Sequence, residues 1–306
     1  MRGRAFDLYN PNEIKPASSF ALDGSPVETP ADGPAPYLPP LFKSFQTFKL
    51  LTEPNEEISD DVCCLAGEKM NQMVFIHGPG AGGCAESFVH QLKHYRGSLA
   101  PTLPGHLEGK PCPNVERYTE WLRGWLWSKG KQQDLVLVGF TLGACIALQY
   151  GLDYPDEVKA LVLMTVAMRP KERPPGALEL RLKASEDPEM YRKWLELMRH
   201  NMMFIDPDLR ERLIECHRKV GPISQHHDFV VIDQFDVRDR IDTLKAPLLL
   251  IRGADDPGSP PEYEMEIHRA VPGSQYLKLN HAGHFPMAEK PEEFNQAIDE
   301  FLASRA

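Results

Sequence analysis

The chain has 306 residues, with 34 Lys and Arg against 44 Asp and Glu and a net charge of −10. A chain of this length and mixed composition buries one sizeable core. Its acidic balance excludes the basic stripe of a nucleic-acid binder and adsorption to anionic membrane surfaces. The opening MRGRAFDLYNPNEIKP lacks the apolar run of a signal peptide, and no window approaches the ~20 apolar residues of a transmembrane helix. Six cysteines, with Cys63 and Cys64 adjacent and the rest scattered, form neither a disulfide framework nor a metal-ligand spacing. Reduced thiols in a cytoplasmic protein are the expectation.

Residues 1–42, with SPVETPADGPAPYLPP, are too rich in Pro for a regular helix or an inner strand. They read as an extension. It is either a flexible tail or an arm that docks through Phe6, Leu8, Tyr9, Phe20 and Tyr37, on its own domain or on the second subunit of a homodimer. FQTFKLL and DVCCLAGE read as a hairpin, and MVFIHG as a buried strand that stops at a Gly-rich loop. A helix is predicted over 85–95, then a short strand and turn in GSLAPTLPGH. An amphipathic helix over 115–128 carries Trp121, Leu122, Trp125 and Leu126. The strand from Leu135 to Val138 breaks at Gly139, and a small-residue helix restarts at Gly143, followed by the strand VKALVLMTV.

Between about 168 and 238 the strand signal disappears. Leu178, Leu182, Met190, Trp194, Leu197, Met198, Leu209 and Leu213 recur there at helical spacing across Pro-initiated segments. Strand–helix alternation then resumes with APLLLIRG, a helix over 261–270, QYLKLN and a closing helix from Glu292 to Leu302. Alternation of this kind predicts an α/β fold with right-handed crossovers and a largely parallel sheet. The expected organisation is an extension (1–42), a core (43–167 and 239–306) and a helical insertion (168–238).

The stretch Gly139-Phe140-Thr141-Leu142-Gly143 places a hydroxyl on a strand-to-helix turn, where a G-x-S-x-G elbow holds a nucleophilic serine. Such a hydroxyl needs a base and an acid, and the loops after neighbouring parallel strands are where they arise. Asp255 and Asp256 follow LLLIRGA; His281 and His284 follow QYLKLN. Thr141, Asp256 and His284 thus fall in the chain order hydroxyl, carboxylate, imidazole.

With HGPG before a helix, the elbow, G-x-x-D and G-H-x-x-x-x-E-x-P in this order, residues from about 45 to 304 resemble the α/β-hydrolase superfamily, in its capped, single-domain form. The resemblance implies a mostly parallel sheet flanked by helices, with 168–238 as a helical cap. It makes His284 the general base and Asp256 the acid that orients it, three residues after Gly253; Asp255 is the rival. It makes Leu142 N–H one oxyanion donor. The second usually follows the His-Gly pair, where this chain has Pro79, which lacks an N–H; Gly80 is expected to take over. His281 is expected to be a structural hydrogen bonder and Cys145 small helix packing.

Threonine at the elbow sits where a β-branched side chain is an outlier. Its hydroxyl can still attack, while its methyl crowds the reaction. Three accounts stay open: a working Thr nucleophile, a residue introduced or drifted in with reduced activity, or a site where His284 acts as base without covalent catalysis, as in cofactor-free lyases and oxygenases. Phe140, Met190, Trp194 and Met198, with Met202, Met203 and Phe204, are expected to wall an apolar pocket. His226, His227 and Arg169 are polar candidates at its edges. The expected substrate is a small-to-medium, partly apolar ester or an activated C–C substrate such as a 1,3-diketone, because the PGAGG loop resembles that of ring-cleavage-product hydrolases. A catalytically weak ligand-binding homologue is the rival. No cofactor or metal is implied, and the expected partner is a small molecule.

Overall fold

The computed structural model describes residues 72–80, 85–202 and 204–305. The extension and the FQTFKLL/DVCCLAGE hairpin lie outside the described residues, as do Cys63, Cys64, Cys84 and Met203.

Five strands form one parallel sheet in the order β1 (Met73–Ile76), β2 (Leu135–Phe140), β3 (Val158–Met164), β4 (Leu248–Gly253) and β5 (Gln275–Leu279). β1, β2 and β4 are buried along their whole length. Strands covered on both faces read as continuous Val/Leu/Ile runs rather than as alternation, as these do. Their side chains still alternate between two cores: Val74 and Ile76 join one, Met73 and Phe75 the other. Helix α1 (Val89–His94) follows a 3₁₀ turn at Ala85–Phe88. Helix α2 (Val115–Ser128) starts at Asn114, whose side chain accepts the Arg117 N–H at 3.0 Å. Helix α3 (Leu142–Asp153) is buried from Leu142 to Leu152, and its apolar residues run all round, as in a central helix.

Between β3 and β4 the described residues form four α-helices, α4 (Glu179–Ala184), α5 (Pro188–Asn201), α6 (Pro207–Val220) and α7 (Pro222–Asp233), and a 3₁₀ turn at Ile241–Thr243. Pro opens α5, α6 and α7, where its missing N–H costs nothing. Asp187 and Asp206 cap α5 and α6. The chain finishes with α8 (Glu262–Ala270), α9 (Pro286–Glu289) and α10 (Pro291–Ala303). α2, α3, α7 and α8 contribute to the first core; α5, α6 and α10 contribute to the second. No helix among the described residues is long and apolar enough to cross a membrane.

Two expectations change. GSLAPTLPGH forms no strand, only a bridge from Leu99 to Val74, because Pro101 and Pro104 cannot donate to a ladder. The helix expected over 85–95 is a 3₁₀ turn followed by a short α-helix.

Candidate active site

The elbow is built by close packing. A Cβ on Gly143 would stand 2.1 Å from the Ile76 carbonyl oxygen, and one on Gly139 would stand 2.4 Å from the Gly143 oxygen. Only glycine lets α3 rise this close to β1 and β2. Thr141 between them has φ 50° and ψ −101°, a left-handed conformation costing on the order of 1–3 kcal/mol for a non-glycine residue. Its N–H donates to the Met164 carbonyl at 3.0 Å, and its own carbonyl accepts from Ala144 and Cys145. These bonds help hold the strained turn. Its Oγ1 is buried and has no hydrogen-bond partner among the described residues.

The base and acid come from the loops after β5 and β4. His284 Nδ1 lies 2.9 and 3.1 Å from the two Asp256 carboxylate oxygens, and Asp256 Oδ1 also accepts the Gly258 N–H at 2.7 Å. Burial pushes the Asp256 carboxyl up, but the bond and charge of His284, with the Gly258 N–H, outweigh it and hold the group below its usual range. Asp255 is exposed, and only its N–H is engaged, by the Ala282 carbonyl. Below the loop, Arg252 forms a buried ion pair with Glu264 at 2.9 Å and reaches the Asp256 carbonyl at 3.4 Å. The Glu289 carboxylate accepts the Gly283 N–H and so fastens the turn before His284; burial pushes its pKa up to about 7. His281 is an exposed turn residue with φ 55°. Cys145 is buried, and burial raises its thiol to about 11, an inert thiol in helix packing.

The expected oxyanion donors fare differently. Leu142 opens α3, so its N–H has no partner within the helix. Gly80, expected to stand in for Pro79, donates its N–H to Asp228 Oδ2 at 2.9 Å instead. Asp228 is a buried carboxylate on α7, with the His106 Nε2 also 2.9 Å away, and a carboxylate in that position draws in the nearest donors. The Gly80 N–H is thus tied to the inserted helices.

Thr141 and His284 share a cavity of about 50 Å³. Its apolar wall comprises Pro79, Phe140, Met198, Met202, Phe229 and Phe285, and its polar wall Arg181, Asn201, His217 and Gln225. Phe140 and Met198 line this cavity. Trp194 and Met190 are not part of this wall. Trp194 is fully buried and donates its indole N–H to Gln225 Oε1 at 2.7 Å, while Met190 packs against the second core from its edge. Each sits on the α5 face that packs into the core. His227 is turned to the Cys112 carbonyl, Arg169 pairs with Glu266, and His226 is not in the wall either.

Sequence reasoning missed the polar wall. Arg181 donates Nε to Gln225 Oε1 at 2.8 Å, lies over the Phe229 ring at 4.3 Å and has no ion pair among the described residues. Burial lowers its pKa to about 10. His217 follows Leu209 and Leu213 at four-residue steps, on the buried stripe of α6. A histidine in an apolar stripe was the one available signal.

A hydroxyl on a strained turn above a parallel sheet, with an imidazole–carboxylate pair on the adjoining loops, is the architecture of an α/β hydrolase. Residues 73–297 match the model of the alpha/beta hydrolase family, and the chain belongs to that family. It is 24% identical over 254 residues to 2-hydroxy-6-oxo-2,4-heptadienoate hydrolase of Pseudomonas putida, covering 76% of this chain and 90% of that protein. It is 25% identical over 175 residues to a pimeloyl-[acyl-carrier protein] methyl ester esterase of Neisseria meningitidis, covering 54% of this chain and 68% of that protein. A solved thermophilic esterase from Thermogutta terrifontis shares the fold, with a TM-score of 0.64 at 24% identity over 76% of this chain and 89% of its own. These relatives support a hydrolase.

Proposed function

We propose that the protein hydrolyses a small-to-medium, partly apolar ester, or an activated C–C bond of the 1,3-diketone type, through an acyl-enzyme on Thr141. The observation that carries this reading is the convergence of Thr141 and the Asp256-paired His284 on one cavity. Asp256 holds a proton on Nδ1 and leaves Nε2 to accept one. Thr141 Oγ1 attacks the carbonyl carbon as its proton passes to Nε2. The tetrahedral oxygen takes its charge beside the Leu142 N–H. His284 then returns the proton to the leaving alkoxide or enolate, and water attacking under the same base frees Thr141. The relatives named for a dienoate and for a methyl ester favour these two substrate classes. The helices between β3 and β4 act as a cap over the cavity.

A second reading has a specific observation behind it. Thr141 Oγ1 is unpaired among the described residues and the Gly80 N–H is engaged, which suits His284 acting as a base without a covalent intermediate. The test is turnover of p-nitrophenyl acetate and butyrate and of a 1,3-diketone, with fluorophosphonate labelling read by intact mass. Wild type should turn over at least one of these substrates and take one label; Thr141→Ala should do neither. Full turnover by Thr141→Ala would establish the non-covalent reading. No turnover and no label in wild type would leave a ligand-binding homologue.

A further inference from the structure

We propose that His217, on α6 of the inserted helices, donates a hydrogen bond to the developing oxyanion of the substrate, in place of the donor that Pro79 and Gly80 do not supply. The inference rests on the acyl-enzyme reading. An attacked carbonyl needs donors aimed at its oxygen, and hydrolytic sites commonly use two. Among the described residues the backbone offers Leu142. Pro79 has no N–H, and the Gly80 N–H is held by Asp228 at 2.9 Å.

His217 is buried, and neither ring nitrogen has a hydrogen-bond partner among the described residues. Buried imidazoles are ordinarily paired, so one lining a cavity with both nitrogens open is explained by an atom that enters the cavity. The cavity, of about 50 Å³, is the one that Thr141 and His284 line. An oxygen on the carbon bonded to Thr141 Oγ1 enters the space that His217 lines.

Burial pushes the His217 pKa down to about 4, so the ring is neutral at pH 7 and does not compete with His284 for the transferred proton. Neutral imidazoles polarise carbonyls in this way elsewhere. Arg181 and His106 add positive fields that also disfavour a charged ring. The Trp194 ring stands T-shaped to it, with the ring centroids 6.3 Å apart. The competitor for its proton is the Gly80 carbonyl, which lies close enough to favour protonation but does not meet hydrogen-bond geometry.

The experiment compares wild type with His217→Phe, His217→Leu and His217→Gln as full-length proteins. Readouts are kcat and KM on p-nitrophenyl butyrate, the fluorophosphonate labelling rate and the melting temperature. The two donorless variants should lose ~100- to 1000-fold in kcat, as one oxyanion donor does. Their KM should stay within about threefold, and labelling should slow in parallel. His217→Gln keeps an N–H and should recover at least about tenfold of the loss. Donorless variants within about threefold of wild type would overturn the proposal and leave the Thr141 mechanism intact. So would a loss shared equally by the Gln variant with a fall in melting temperature, which marks a structural role through Gly80. A wild type that neither turns over nor labels would instead overturn the acyl-enzyme reading.

Discussion

The methyl group of Thr141 imposes two demands at once, since it occupies a left-handed backbone position and crowds the oxygen that must attack. Thr141→Ser keeps the hydroxyl and relieves both. It should be at least as active on small esters and label faster with a fluorophosphonate; a slower Ser variant, measured as kcat/KM, would mean the pocket is shaped around the methyl. His284→Ala should lower kcat by at least ~100-fold, as loss of a general base does. Asp256→Asn should follow closely, because the amide stabilises the wrong imidazole tautomer. Asp255→Asn should leave kcat nearly unchanged, its side chain being exposed and away from His284. The reverse pattern between the two aspartates would reassign the acid.

At the scale of elements, one substitution should have opposite signs in two helices. Gly124 lies in α2, is exposed and has nothing within 4 Å of the position an added methyl would take. Gly124→Ala should therefore stabilise by about 0.5–1 kcal/mol through lower unfolded-chain entropy and better helix propensity. Gly143, at the start of α3, would place the same atom 2.1 Å from the Ile76 carbonyl oxygen and 2.7 Å from that of His77. Neither backbone can yield, so Gly143→Ala should abolish the native transition or lower the melting temperature by many degrees. Thermal unfolding followed by circular dichroism checks both. α2 was legible from its apolar spacing, because a two-sided helix declares itself by period, while the Asn114 cap came only with the structure. The bridge at Leu99 was not legible, since a short run between Gly97 and Pro101 says nothing about its partner.

For the whole molecule, acid stability turns on buried neutral histidines. Burial is the largest cause in both His77 and His217, and it pushes both pKa values down, His217 to about 4 from an ordinary 6.5. A depressed base contributes stability that is complete above the unfolded value and is lost as pH falls toward the folded one, because the unfolded chain binds the proton first. For His217 that is roughly 3 kcal/mol between pH 6.5 and 4, at about 1.4 kcal/mol per pH unit. Glu289 works in the opposite sense. Burial raises it to about 7, so its contribution is complete below about 4.5 and is lost as pH rises through 7. His217→Phe should accordingly lose less stability than wild type between pH 6.5 and 4.5, read from urea midpoints. Parallel curves would show that the ring is not held neutral.

The strand–helix alternation, the elbow glycines and the order Thr141, Asp256, His284 are local or sequential properties, so the fold class and the candidate triad could be read from the chain alone. The sequence also showed that Pro79 removes a donor, because that follows from proline's own chemistry. What fills the gap was decided only by tertiary structure. Asp228 and Gly80 are 148 residues apart, and Gln225, Arg181 and His217 meet Thr141 only because α4, α6 and α7 fold back over the sheet. Helical spacing tells which side chains are buried together. It cannot tell a core-packing Trp194 from a cavity-lining His217, since both lie on apolar stripes and only the packing of one helix against another decides which faces an open space.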